Sequence, residues 1–475
     1  MTESRSIRPR PYRRQLLWHA VPGGTGHHPF ALIQRRAQVF QTVGRWPEAE
    51  LACRANHDAA RSCGDPRLAA EAALQLGKLL RMRGDFDAAA PFFDGLEDFF
   101  SGAGDLANLY QLYWNLAQVS QARGKYNLAR EYYRKEHDAA LAMGNLSLVG
   151  SAIGSLGTLY YERGEYQQAM ECYRQGLAVS EPISNMSDRG VLLGNIGNVH
   201  TMLGEYEQAL ACYREKLDIS RRLGQTRSLS IVLGNMGVLF HKMGRYRDAI
   251  DHYRRKLALS ESMGDKIGVC YTLGNLGSTF EQLGDEAAAY DCFRRYYDLS
   301  LSLGDKMNLS HAHNNLGGIL EDRGQSAQAA EHYREAVALA RELGLRQELC
   351  EFLHNQARFL LRVGDHAGAA AANARAAEAA QQLGDPAMTF TIAVQRAEIT
   401  ARSDKTAAQA MLEELLAAAR DDNERAEALY HLSALTGEQE QRNLALGLYR
   451  KLCQQLPNLV NKERLAELEA ASAKT

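Results

Sequence analysis

The sequence lacks a surplus of charge of either sign. Over 475 residues, 55 Lys and Arg stand against 57 Asp and Glu, a formal net charge of -2. No global field therefore draws the chain toward nucleic acid or an anionic membrane. No apolar run approaches the roughly 20 residues that a membrane helix needs, and the first residues lack the apolar stretch of a secretory signal. A cytoplasmic protein with no membrane insertion is the expectation. Paired cysteines are missing too: the eight stand singly, without a Cys-x-x-Cys motif. Cys172, Cys212 and Cys292 each precede an aromatic (Tyr173, Tyr213, Phe293) at one repeated position, as residues packed on a repeated helix would. That pattern argues against metal or disulfide roles. Catalytic signatures are absent as well. There is no His-Glu-x-x-His, Gly-x-Ser-x-Gly or Walker motif. Gly23-Gly24-Thr25-Gly26 runs into His27-His28 rather than Lys-Ser/Thr, so it is not a phosphate loop. His311 and His313 are two apart and fall on different faces of a helix. Neither catalysis, nor a cofactor, nor a metal is expected.

What the sequence does contain is a period of 40. Gly44, Gly84, Gly124, Gly164, Gly204, Gly244, Gly284, Gly324 and Gly364 share one register without an insertion. A second series, twenty residues out of phase, holds Gly64, Gly104, Gly144, Gly224, Gly264, Gly304, Gly344 and Gly384, and misses only at Ser184. Two glycine-marked turns per unit, with helical patterning between them, describe stacked helix-turn-helix repeats. Such arrays present long surfaces, which points to binding.

In the type unit, helices are expected over about 188–203 and 206–223. Leu193, Ile196 and Val199 give the first an apolar stripe, and Ala209, Tyr213 and Leu217 give one to the second. The outer turns place aspartate after glycine at Asp65, Asp105, Asp265, Asp305 and Asp385, where it can cap the next helix. Five residues after every inner glycine stands alanine, from Ala49 to Ala369, which lets the two helices approach. Nine residues after it stands Phe93, Tyr133, Tyr173, Tyr213, Tyr253, Phe293 or Tyr333, large enough to fill the space between hairpins.

The pattern Leu193, Ile196-Gly197, Gly204, Tyr206, Ala209 and Tyr213 resembles the tetratricopeptide repeat, whose usual period is 34 residues. The 40-residue form, with Gly-Asn-x-Gly in the first helix and Leu-Gly-Asp between units, resembles the LGN/Pins adaptors of spindle orientation. It is also similar to the tetratricopeptide tails of bacterial signalling proteins. The resemblance implies an all-α fold: a right-handed superhelical solenoid of about eleven helix-turn-helix units with a C-terminal capping helix. Residues 1–28 form a basic arm carrying Arg5, Arg8, Arg10, Arg13 and Arg14 against Glu3. It is read either as a mobile terminus or as a docking motif, and it is the one place where nucleic acid stays open as a partner. Residues 29–385 make nine units, 386–457 two more of shorter period, and 458–475 the capping helix and tail. Between units four and five, Glu181-Pro182-Ile183-Ser184-Asn185 replaces the glycine turn, read as a different loop of equal length or as a hinge.

By the same resemblance, first helices line a concave groove. Nine residues before each inner glycine lies a ladder: Gln75, Asn115, Ser155, Asn195, Asn235, Asn275, Asn315 and Asn355. Asparagine is a mediocre helix former, and its amide matches the C=O and N–H of one peptide unit. Repeated along a groove, these amides would hold an extended peptide by its backbone; alternatively they bond neighbouring first helices. A comparable ladder in O-linked N-acetylglucosamine transferase and kinesin light chain grips peptide main chain. Gly154, Gly194, Gly234 and Gly274, one residue before the ladder, would bare the wall for a ligand or serve packing. Gly77, Gly157, Gly197, Gly237, Gly277 and Gly317, two after it, match the consensus position where hairpins pack. Selectivity is assigned to varied neighbours: Lys78 and Arg81, Trp114, Tyr161, Asn198, His241 and Lys242, Tyr271, Glu281, Glu321, and Arg358 with Arg362. This alternation suits a partner segment of mixed charge. Only Lys78 with Arg81, and Arg358 with Arg362, approach a clamp for a terminal carboxylate. The expected function is a non-enzymatic protein-interaction adaptor. The alternative is a regulatory sensor or accessory subunit whose curvature changes on binding a peptide or effector protein.

Overall fold

The computed structural model describes residues 46–180, 185–455 and 459–472. The basic arm, Gly44 and the hinge reading at 181–184 lie outside the described residues. Among the described residues every regular element is helical, and no helix is long and apolar enough to cross a membrane.

Turn chemistry sets the helix ends. At the inner turn of the type unit, the first helix Met186–Met202 is followed by Gly204 at φ 76°. Glu205 N–H then reaches back to His200 C=O at 2.9 Å, a left-handed closure that suits glycine. The second helix, Tyr206–Arg222, starts immediately. At the outer turns the aspartates cap. Asp65 accepts from the Arg67 and Leu68 amides, and Asp305 from Asn308 N–H at 3.0 Å. Asp105, Asp265 and Asp385 do the same for their own helices.

Packing follows the repeat. The nine alanines five residues beyond the inner turns are all 0 % exposed, and the rings nine residues beyond are at most 2 % exposed. Burying each ring contributes roughly 1.5–3 kcal/mol. Six of the seven rings have a helical glycine opposite them, and Tyr133 has Ala117 in that register instead. An ideal Cβ on Gly77, Gly157, Gly197, Gly237, Gly277 or Gly317 would run into Phe93, Tyr173, Tyr213, Tyr253, Phe293 or Tyr333 respectively.

The helices fall into two compact units, one ending at residue 183 and the other beginning at 184. Within each, hairpins stack in chain order. Each second helix lies between its own first helix and the first helix of the next hairpin. In the second unit, consecutive first helices also touch one another, from Met186–Met202 through Asp422–Thr436, and so form one wall. A shared core runs through four of these hairpins and into a fifth, from Leu210 and Met236 through Phe280, Ile319 and Tyr333 to Phe359.

Two places depart from the regular repeat. The second helix after Gly84 is broken into Phe86–Ala89, a 3-10 turn Ala90–Phe92 and Leu96–Gly102. Pro91 has no N–H to donate and crowds the carbonyl four residues back, and Gly95 at φ 74° restarts the helix. Near the C-terminus, hairpins turn at Asp404, which caps Lys405–Ala418, and at Gly437. The last helix, Leu459–Ser472, buries Leu468 against the Tyr449 cluster.

Candidate functional site

First-helix side chains define the candidate surface in each unit. In the first unit, Gln75, Lys78 and Tyr161 are half-buried. Asn115 is not available to a guest. It is 1 % exposed, its Oδ1 accepts from Arg81 Nε at 2.7 Å, and its Nδ2 donates to Gln111 C=O at 2.7 Å. The Arg81 guanidinium also lies 4.4 Å from the Trp114 ring centroid. A clamp at Lys78 and Arg81 is therefore not what Arg81 does: its charge is held between Asn115 and Trp114. Ser155 bonds its own helix at Ser151 C=O.

The second unit carries the longer ladder, and its amides divide into two groups. Asn235 Nδ2 donates to Asn198 Oδ1 at 2.9 Å, and Asn355 Nδ2 to Asn314 Oδ1 at 3.1 Å. Both bonds join neighbouring first helices. Asn195, Asn275 and Asn315 are half-buried, and their amides have no hydrogen-bond partner among the described residues. Tyr213 threads its hydroxyl between helices to reach Asn198 Oδ1 at 2.8 Å, so that one oxygen serves two donors. Gln395, forty residues beyond Asn355, continues the ladder but is 3 % exposed and bonds His354 C=O and Asn373. The same register would have found it.

Around the ladder, the varied positions differ in availability. His241 Nδ1 lies 3.0 Å from Thr279 Oγ1, and burial, with the Lys242 charge adding to it, pushes its imidazole below the usual range. Lys242 is half-buried and Tyr271 is exposed. Burial, then Asp322, pushes the Glu281 carboxyl up, against the pull of Arg358. Glu321 is taken off the surface: its side chain is 3 % exposed, it accepts from the Tyr333 hydroxyl at 2.9 Å and it pairs with Arg362 at 3.1 Å. Arg362 also reaches Asp322 at 3.3 Å. Arg358 and Arg362 thus sit against internal carboxylates, which weakens them as a free clamp.

A cavity of about 450 Å³ opens at the C-terminal end of the wall, lined by His354, Arg358, Gln395, Glu427, His431 and Arg464 among others. Its charges are largely paired: Glu427 meets His431 at 3.1 Å, Arg464 at 3.6 Å and the Tyr449 hydroxyl at 2.7 Å. Nothing in the sequence pattern pointed to it, because Arg464 and Glu427 meet only once the last helix folds back.

At Gly194, Gly234 and Gly274, just before the ladder, the wall is backed by second-helix side chains. Lys216 fills the space at Gly194 and Lys256 that at Gly234, each from the second helix of the same hairpin. At Gly274 the nearest atom is Tyr296 Cε1, 3.5 Å from an ideal Cβ. Among the described residues no group of His, Cys, Asp and Glu could hold a metal ion.

Residues 108–181, 188–262 and 264–342 match the family model of the tetratricopeptide repeat. No curated protein matches the sequence. Among solved structures, the chain is similar to the apo form of the quorum sensor NprR from B. thuringiensis, with a TM-score of 0.50 and 15 % identity over 73 % of this chain and 99 % of that one. It is also similar to aspartyl phosphate phosphatase F from Bacillus subtilis, with a TM-score of 0.50 and 14 % identity over 76 % and 97 %. At such identities the likeness is one of fold: an all-α solenoid of tetratricopeptide repeats.

Proposed function

We propose that this chain, carrying tetratricopeptide repeats, is a non-enzymatic adaptor that holds an extended segment of a partner protein along its first-helix wall. Three side-chain amides carry the reading. Asn195, Asn275 and Asn315 stand on first helices in one register, half-buried and unpaired among the described residues. Each offers a donor and an acceptor to one peptide unit. A backbone held this way needs no particular side chains, so selectivity falls to His241, Lys242, Tyr271, Glu281 and the rim of Arg358 and Arg362. On the pattern of the 40-residue repeat, we group the chain with LGN/Pins-like adaptors acting in the cytoplasm.

The test uses the full chain and an array of immobilised twelve-residue peptides. Substituting Asn195→Ala, Asn275→Ala and Asn315→Ala together should lower the affinity of the best peptides by tenfold or more without lowering the melting temperature below that of the wild type. Unchanged affinity would remove the mechanism.

A second reading, a regulatory sensor, is favoured by the division into two compact units at 183/184. NprR, a quorum sensor, shares the fold. A sensor should change its scattering radius on adding a bound peptide; an adaptor should not.

A further inference from the structure

Two second-helix lysines occupy a repeat position that holds no other basic residue from Asn56 to Ala376. The residues in register with Lys216 and Lys256 are Asn56, Leu96, Glu136, Gly176, Tyr296, Ala336 and Ala376. Lys216 is only 6 % exposed and Lys256 is half-buried. Neither amine has an ion-pair or hydrogen-bond partner among the described residues. Burial pushes both amines below the usual range, with Asp265 opposing this at Lys256.

Each lysine side chain runs into a gap that only glycine leaves open. An ideal Cβ on Gly194 would collide with Lys216 Nζ and stand 2.8 Å from its Cδ. One on Gly234 would stand 2.9 Å from both Cδ and Nζ of Lys256. These gaps lie on the first helices that carry the ladder, beside it rather than on its face. Gly194 and Gly234 immediately precede Asn195 and Asn235, and Gly194 lies one turn from Asn198. The amines are thus carried from the second helices to the first helices of the second unit, one residue before Asn195 and Asn235. A desolvated ammonium with no counter-charge in contact is costly to keep, and Asp265 offsets this only in part, at Lys256. Two in consecutive hairpins, each matched by a helical glycine, call for an anion from outside the chain.

We propose that Lys216 and Lys256 form a two-point recognition site for side-chain carboxylates of the bound segment. Packed helices lie about 8–10 Å apart, and an extended chain advances about 3.3 Å per residue. Acidic residues two or three apart in the ligand would therefore meet successive amines. The proposal rests on the peptide-holding reading above and narrows its ligand to one that is acidic where it crosses these hairpins.

The peptide array decides it, with peptides tethered through their C-termini so that only side-chain carboxylates are offered. Binders of the wild-type chain should be enriched in Asp or Glu pairs two or three residues apart. The Lys216→Met, Lys256→Met variant, whose unbranched apolar side chains fit the same gaps, should lose that enrichment and melt no lower than the wild type. As a readout that does not depend on the variant folding, replacing the two acids of the best peptide by Gln or Asn should weaken wild-type binding about tenfold. Absence of acidic enrichment, the same enrichment in a folded variant, or equal affinity for acidic and amide peptides would overturn the proposal. Should uncharged peptides bind and depend on Asn195, Asn275 and Asn315, the groove stands without this site. If no peptide binds, both readings fall together.

Discussion

The Tyr213 ring lies directly over Gly197: a Cβ at that glycine would stand 2.5 Å from Tyr213 Cε1 and 2.8 Å from Cδ1. The ring is 1 % exposed and its hydroxyl is held by Asn198, so it has nowhere to retreat. Alanine ordinarily gains about 1 kcal/mol over glycine in a helix. Overpacking a close-packed site costs typically 1–3 kcal/mol, and here it outweighs that gain. Gly197→Ala should therefore lower the melting temperature. At Gly274 the nearest atom is at an ordinary contact distance of 3.5 Å. Gly274→Ala should raise the melting temperature or leave it unchanged. Thermal unfolding of the pair, followed by circular dichroism, tests the contrast; the same sign for both would contradict the packing.

Glu136 is 0 % exposed, at the position held by lysine in Lys216 and Lys256. Burial pushes its carboxyl up to about 8, against the Tyr110 hydroxyl, from 4.5 when it is solvated. Between those values the folded chain holds a proton that the unfolded chain has released. Stability should fall as pH rises from about 4.5 to about 8 and then level off, with a slope of at most roughly 1.4 kcal/mol per unit. Glu136→Gln should melt like the wild type at pH 4 and several degrees higher at pH 8. Parallel pH profiles of the two proteins would contradict this.

Glu427 titrates the other way. Burial alone would raise its carboxyl, but the hydrogen bond to His431, the charges of His431 and Arg464, and the Tyr449 hydroxyl hold it at about 2. Its stabilising effect is complete above about 4.5 and is lost as pH falls toward 2. Because Arg464 belongs to Leu459–Ser472, the protection of that helix's amides relative to intrinsic exchange should fall between pH 4.5 and 3 before that of the rest of the array. Glu427→Gln should produce the same loss of protection at neutral pH, at a cost of about 2–3 kcal/mol for a hydrogen bond to a charged group. Unchanged protection would show that the helix is held by Leu465 and Leu468 alone.

The turns, the alanines and the rings were legible in the sequence because each answers to one local requirement: a left-handed residue, a close helix pair, a space of ring size. Gly204, Ala209 and Tyr213 recur for those reasons whatever surrounds them. The break at Pro91 escaped notice because Phe93 stays in register across it. What Asn235 bonds to was not legible, because it depends on where the neighbouring first helix places Asn198. The direction of Lys216 was hidden for a related reason. A second-helix lysine reads as solvent-facing until Gly194 is seen as its counterpart, and that signal was present in the pairing of Gly194 with Lys216 and of Gly234 with Lys256.

That difference among ladder positions yields a test that needs no ligand. Asn235 bridges two first helices through Asn198, so Asn235→Ala removes a hydrogen bond worth about 1 kcal/mol and leaves Asn198 with Tyr213 alone. Asn275 makes no side-chain bond among the described residues. Asparagine is a poorer helix former than alanine by up to about 0.7 kcal/mol, so Asn275→Ala should stabilise the chain. Urea unfolding should then place Asn275→Ala above the wild type in midpoint and Asn235→Ala level with it or below. An amide whose removal stabilises the free protein is kept for something the free protein does not do. A loss of stability at Asn275 would instead mean that the chain itself uses that amide, and the wall would have one fewer position to offer a guest.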